Sequence, residues 1–197
     1  SFKSATQQTP RFSQEGTKGE FLSVELELKV LADVGLVGLP NAGKSTLLSV
    51  MTTAKPKIAD YPFTTLQPHL GIVKYGEYQS FVMADIPGLI EGASEGKGLG
   101  HQFLKHIERN KILLFMIDIE EQNPIDVYNQ LMDELVGFNK DLLDKDRLIV
   151  RTKIDIASED VDERWSSFPE EFIDISSVSN QGLNTLKDKL VSFLSAS

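Results

Sequence analysis

An α/β fold with a mostly parallel six-stranded sheet and one antiparallel edge strand is the architecture this sequence predicts, on three observations. From residue 32 onward, apolar runs of strand length alternate with stretches of helical period, the pattern of strands covered by helices on both faces. The loop Gly38-Leu39-Pro40-Asn41-Ala42-Gly43-Lys44-Ser45 joins the first such run to the first helix. Two later runs are separated only by Tyr75-Gly76-Glu77-Tyr78, which suffices for a hairpin and is too short for a parallel crossover.

The elements follow in order. Ala32 to Val37 is a short apolar strand, and Ser45 to Met51 supplies the first helical turns. Leu70 to Lys74 and Phe81 to Asp85 form the hairpin. Lys111 to Ile117 is the next strand, continuously apolar after its lysine, as a strand buried on both faces should be. Asn123-Pro124-Ile125-Asp126 reads as a helix start, with Asn as cap, Pro in the first turn and an early acid. Ile125, Tyr128, Leu131, Met132, Leu135 and Phe138 then fall on one face of that helix. Leu148 to Val150 and Phe172 to Ile175 are the last two strands, and Leu183, Leu186, Leu190, Phe193 and Leu194 line a closing helix. Upstream of all these, Phe21 to Val30 alternates apolar and polar residues at the period of a half-buried strand. A lone strand is not a domain, so residues 1–31 are expected to be the end of a neighbouring domain with its linker, and residues 32–197 the α/β domain.

Composition narrows the function classes. With 197 residues, 41% of them hydrophobic and 25% charged, the chain can bury a sizeable core. Its net charge of −9 argues against a broad, non-specific hold on nucleic acid, which requires Lys and Arg to neutralise phosphates. Without cysteine it has no disulfide, thiolate metal site or Cys nucleophile. The longest apolar run, Ile112 to Ile117, is far too short to span a bilayer, and a cytoplasmic location without membrane partners is expected. His69, His101 and His106 have no metal-ligand spacing.

The chemistry sits in five segments. Gly38 to Ser45 fits the phosphate-binding pattern G-x-x-x-x-G-K-[ST] in its required place between strand and helix. Its glycines let successive N–H groups turn toward phosphate oxygens, Lys44 reaches the β- and γ-phosphates, and Ser45 offers a hydroxyl to Mg2+. Asp85-Ile86-Pro87-Gly88 ends the hairpin with an acid suited to the neighbourhood of that ion and a glycine N–H for the γ-phosphate. Phe63-Thr64-Thr65-Leu66-Gln67 lies where a mobile loop would bring a threonine hydroxyl to the same ion. Thr152-Lys153-Ile154-Asp155 matches the guanine-reading pattern Asn-Lys-x-Asp except at its first residue. A carboxylate there accepts from guanine N1–H and N2–H2, neither of which adenine offers, and the lysine stem packs over the base face. Ser176-Ser177-Val178 follows the next strand, placed to give a backbone N–H to guanine O6. A P-loop ATPase or kinase, and an RNA-binding module that holds nucleotide without hydrolysing it, are the competing readings.

Taken together, Asp33 to Leu47, Ala54 to Leu66 and Phe81 to Arg109 resemble the Obg family of translation-factor-class GTPases, and residues 10–34 resemble the junction between its N-terminal domain and its G domain. The resemblance implies a Ras-like G domain, Mg2+-dependent hydrolysis of GTP to GDP, association with the large ribosomal subunit, and a monomer. It implies Ser45 and Thr65 as metal ligands, and Lys44, Asn41, Thr65 and Gly88 as the residues acting at the reacting phosphate. Asn41 resembles the P-loop asparagine of GTPases in which K+ takes the place of an arginine finger, which makes K+ a second candidate cofactor. The sequence departs from the family at Thr152, where Asn is expected, and at Ser177, where Ala is usual. Leu89 stands where Ras-type enzymes carry the water-orienting glutamine, an apolar residue that the family shares.

Overall fold

The computed structural model describes residues 16–24, 32–58, 68–77, 79–85 and 110–196. Within them, seven strands form one sheet: β1 (Val34–Val37), β2 (Lys57–Ile58), β3 (His69–Tyr75), β4 (Gln79–Asp85), β5 (Ile112–Asp118), β6 (Asp146–Thr152) and β7 (Phe172–Asp174), in the spatial order β2-β3-β4-β1-β5-β6-β7. Four helices accompany them: α1 (Lys44–Met51), α2 (Pro124–Phe138), α3 (Val161–Trp165) and α4 (Leu183–Ala196). Strands β4, β1, β5, β6 and β7 run parallel, and β3 pairs antiparallel with β4, as a connection of only three residues, 76–78, requires. The six expected strands are all present. Outside β3 lies the two-residue β2, also antiparallel, which carries too few residues to show a period in the sequence.

Strand β5 shows why the sheet is covered twice. Leu113, Phe115 and Ile117 pack with Val127, Tyr128, Leu131 and Leu135 of α2, whereas Ile112, Leu114 and Met116 pack with Leu47 and Leu48 of α1 and with Leu186 and Leu190 of α4. Alternation along one apolar strand therefore feeds two separate cores, and every one of these β5 side chains is at most 1% exposed.

Two local expectations change. Asn123 occupies the cap position of α2 and its carbonyl accepts from Val127 N at 3.1 Å, but its side chain makes no capping bond. The favourable charge at this helix start comes from Asp126 in the first turn. Residues 16–24 have no regular secondary structure, and Phe21, Leu22 and Val24 are exposed, so the described part of the expected Phe21 to Val30 strand is not paired into the sheet. Residues 25–31 lie outside the described residues.

Candidate functional site

All the strands that matter end on one edge. The carboxyl ends of β1, β4, β5 and β6 deliver the P-loop, Asp85, Asp118 and Thr152 to the same side of the sheet, where open α/β sheets bind ligands.

The P-loop is built by conformation as much as by side chains. Gly43 has φ +93° with open space around its missing Cβ, so glycine is required there by the backbone and not by crowding. Asn41 adopts φ +65°, a region asparagine tolerates better than most residues. Gly38 is needed for the other reason: a Cβ would stand 2.6 Å from the carbonyl oxygen of Met116 on β5. Because Gly43 is the residue preceding α1, no side chain caps the helix, and its first N–H groups and partial positive charge are left for an anion. Lys44 folds back over the loop, its Nζ donating to the carbonyls of Gly38 at 2.8 Å and Leu39 at 2.9 Å.

Ser45 and Asp85 meet across 40 residues of sequence, the serine Oγ donating to Asp85 Oδ2 at 2.5 Å. Asp85 is 6% exposed, and its other oxygen, Oδ1, is buried without a hydrogen-bond partner among the described residues. A buried carboxylate oxygen left unsatisfied beside a hydroxyl is a hard-oxygen donor set, which fits a magnesium ion with its waters. Among the described residues no cluster of three or more His, Cys, Asp or Glu offers an alternative metal site.

The base-facing side is tied to the phosphate side by Thr152. Its buried hydroxyl lies 3.0 Å from the carbonyl of Ala42 in the P-loop and 3.3 Å from that of Ile117. The threonine that stands where Asn is expected thus braces the P-loop: the short side chain reaches it. With one proton to give, the hydroxyl has no second donor for a base. Lys153, in the left-handed region at φ +60°, sends Nζ to Asp118 Oδ2 at 2.5 Å, which orients its aliphatic stem. Asp155 is exposed in the short turn Ile154–Ile156. Ile154 N donates to Ile175 O at 3.2 Å, stitching this loop to the one after β7. There Ser176 N donates to Gln181 O, and Ser176 Oγ accepts from Ser179 N, which leaves the N–H groups of Ser177 and Val178 as the donors this turn can offer. Behind the loops, Glu120 accepts from the N–H and hydroxyl of Ser158 and from Arg164. The Ser158 backbone N–H is the main cause holding its carboxyl below the ordinary range.

Gly38 to Ser45, Asp85, Thr152 to Asp155 and Ser176 to Val178 lie along the carboxyl edge of the sheet. Phe63 to Gln67, Ile86 to Gly88 and Leu89 lie outside the described residues. Sequence reasoning missed Asp118, whose only signal is an acid ending an otherwise apolar strand, and the pair Arg151 and Asp174.

A parallel-rich sheet with this loop at the end of its central strand, braced against a Lys-x-Asp loop two strands away, defines a P-loop nucleotide-binding domain of the G-domain class. Residues 33–153 match the family described as 50S ribosome-binding GTPase, and the chain belongs to that family. It is 60% identical over 189 residues to GTPase Obg of Pelodictyon phaeoclathratiforme, covering 96% of this chain and 56% of that protein. With GTPase Obg of Flavobacterium psychrophilum the identity is 58% over 201 residues, covering 98% and 59%. The expected likeness to Obg proteins is borne out, and the chain spans somewhat over half the length of these relatives. Among solved structures it resembles the G domain of the T. maritima FeoB iron transporter, with TM-score 0.61 and 26% identity over 82% of this chain and 97% of that one. It also resembles Aquifex aeolicus Era bound to GDP·AlF4−, with TM-score 0.60 and 28% identity over 84% and 57%.

Proposed function

We propose that this chain binds GTP and hydrolyses it to GDP and phosphate with Mg2+, acting as a monomeric cytoplasmic switch whose nucleotide state sets its affinity for the large ribosomal subunit. The observation that carries the reading is the Thr152 to Ala42 hydrogen bond, because it joins a phosphate-binding loop to a loop bearing a purine-selecting carboxylate in one rigid unit. Among the described residues no helix is long and apolar enough to cross a membrane. Residues 1–31 belong, on this reading, to the end of an N-terminal Obg-type domain.

Each residue has a task. The N–H groups from Gly38 to Ser45 wrap the β-phosphate, and Lys44 exchanges its two carbonyl acceptors for phosphate oxygens. Ser45 and Thr65 would hold directly, and Asp85 through water, an Mg2+ ion whose positive charge would neutralise the phosphates. By the family resemblance, Gly88 would give its N–H to the γ-phosphate, and Phe63 to Gln67 would contribute to the nucleotide site. Asp155 accepts from guanine N1–H and N2–H2, Lys153 packs over the base with its ammonium held by Asp118, and Ser177 or Val178 donates to O6. Leu89 supplies no glutamine amide, so unassisted turnover is slow, on the order of the intrinsic Ras rate of ~10⁻⁴ s⁻¹. Asn41 would hold K+ at the reacting phosphate, where positive charge is worth most.

Phosphate release from GTP tests the reading, measured with Mg2+ in KCl and in NaCl for the wild type, Lys44→Ala and Asn41→Ala. Slow release that disappears in Lys44→Ala is expected, faster in KCl only when Asn41 is present. GDP binding with release no faster than in Lys44→Ala would favour a binding module, and equal rates in the two salts would remove K+.

A further inference from the structure

Arg151 immediately precedes the Thr152 to Asp155 loop and is only 9% exposed, a degree of burial arginine tolerates when its charge is paired. Its guanidinium grips Asp174 with two bonds, Nε to Oδ1 at 2.6 Å and Nη2 to Oδ2 at 2.7 Å. The same group lies over two rings, 4.7 Å from the centroid of Phe172 and 5.4 Å from that of Trp165. Trp165 is itself fixed by its indole N–H, which donates to Ile119 O at 3.2 Å. A third carboxylate, Asp162, stands 3.7 Å away but is 97% exposed and adds little.

The position of this clamp matters. Strand β7 is the edge of the sheet and pairs with β6 at three positions only, of which Arg151 with Asp174 is the last. Past it the two chains run into the two loops that face the base, held by Ile175 N to Arg151 O at 3.0 Å and Ile154 N to Ile175 O at 3.2 Å. Three ladder positions are a weak mooring for a loop that must sit within about 0.5 Å of its working place. A planar fork lying over two rings that meet edge-on fixes distance and angle together, which a lysine ammonium would not do.

We infer that Arg151, acting through Asp174, is a positioning residue for purine selectivity. It sets the spacing between the Asp155 carboxylate and the Ser177 and Val178 backbone so that both meet one base edge at once. The inference rests on the guanine reading of the preceding section and goes beyond it by assigning the alignment of the two loops to a group that touches no ligand.

Calorimetric titration of the full chain with Mg2+ tests it, using GDP, IDP, ADP and inorganic pyrophosphate against the wild type, Arg151→Met and Asp174→Asn. IDP lacks the 2-amino group and so withholds the second bond from Asp155, while pyrophosphate reports on the P-loop alone. The wild type should prefer GDP over IDP by about tenfold or more, the worth of one charge-assisted hydrogen bond. In Arg151→Met that preference should shrink to within about twofold, with pyrophosphate affinity unchanged within the same factor. Asp174→Asn, which leaves the guanidinium over the two rings, should fall between the two and carries the test if Arg151→Met does not fold. Variants that lose GDP and IDP in equal proportion, or lose pyrophosphate as much as GDP, would make Arg151 a merely structural residue and overturn the inference. A wild type that binds ADP as well as GDP would sink the guanine reading itself, a different outcome from guanine-selective variants.

Discussion

Thr152 commits its one hydroxyl proton to the protein, between the carbonyls of Ala42 and Ile117. An asparagine at this position could brace the same loop and still offer an N–H to guanine N7. Thr152→Asn should therefore tighten GDP binding by about two- to tenfold, the range of one ordinary hydrogen bond, and equal dissociation constants would contradict this. A second residue makes a pH prediction. Glu134 on α2 has Oε2 buried without a partner among the described residues, and loss of hydration raises its pKa above the ordinary 4.5. A carboxyl with a raised folded pKa holds its proton more tightly in the folded state. Its contribution favours folding below the ordinary pKa and is lost as pH rises through the raised value. Glu134→Gln should thus melt higher than wild type near pH 8, and the gap should close as the pH falls to about 4, below the unperturbed carboxyl. A constant difference across that range would rule out desolvation as the cause.

At the scale of elements, the P-loop helix is seated by a strand that never touches nucleotide. Gly71 on β3 faces α1 so closely that a Cβ would lie 2.1 Å from Thr52 Cγ2 and 3.0 Å from Leu48 Cδ1. Gly71→Val should push α1 off the sheet, costing about 1–3 kcal/mol in urea unfolding and weakening nucleotide binding in the same protein. Wild-type stability in that variant would show that the helix can shift at no cost. The elements themselves were largely legible in the sequence, for a physical reason. Strand β5 is buried on both faces and reads as one apolar run, and α2 shows its period because one face meets the sheet. The P-loop was legible because its residues are contiguous. What could not be read were pairings made only by folding: Arg151 with Asp174 lies 23 residues apart and Lys153 with Asp118 lies 35, and nothing local marks either. The same holds for Thr152, whose brace to Ala42 spans 110 residues.

The whole molecule places a polyphosphate site in a chain of net charge −9. Binding must then come from oriented N–H groups, one lysine and a divalent ion, not from a general positive field. Contact with ribosomal RNA would have to use a face other than that of α3, where Glu159, Asp160, Asp162 and Glu163 cluster and would repel phosphates. On the proposed function the two halves of the site make separable demands, since the P-loop would accept any nucleoside polyphosphate and the Asp155 carboxylate would select the base. The most direct test of the account is therefore a calorimetric titration of the purified chain with GDP and with ADP in the presence of Mg2+. One GDP site and at least about 100-fold weaker ADP, as two charge-assisted bonds to Asp155 require, is the predicted result. Equal affinity for the two, or no GDP bound at millimolar excess, would contradict it.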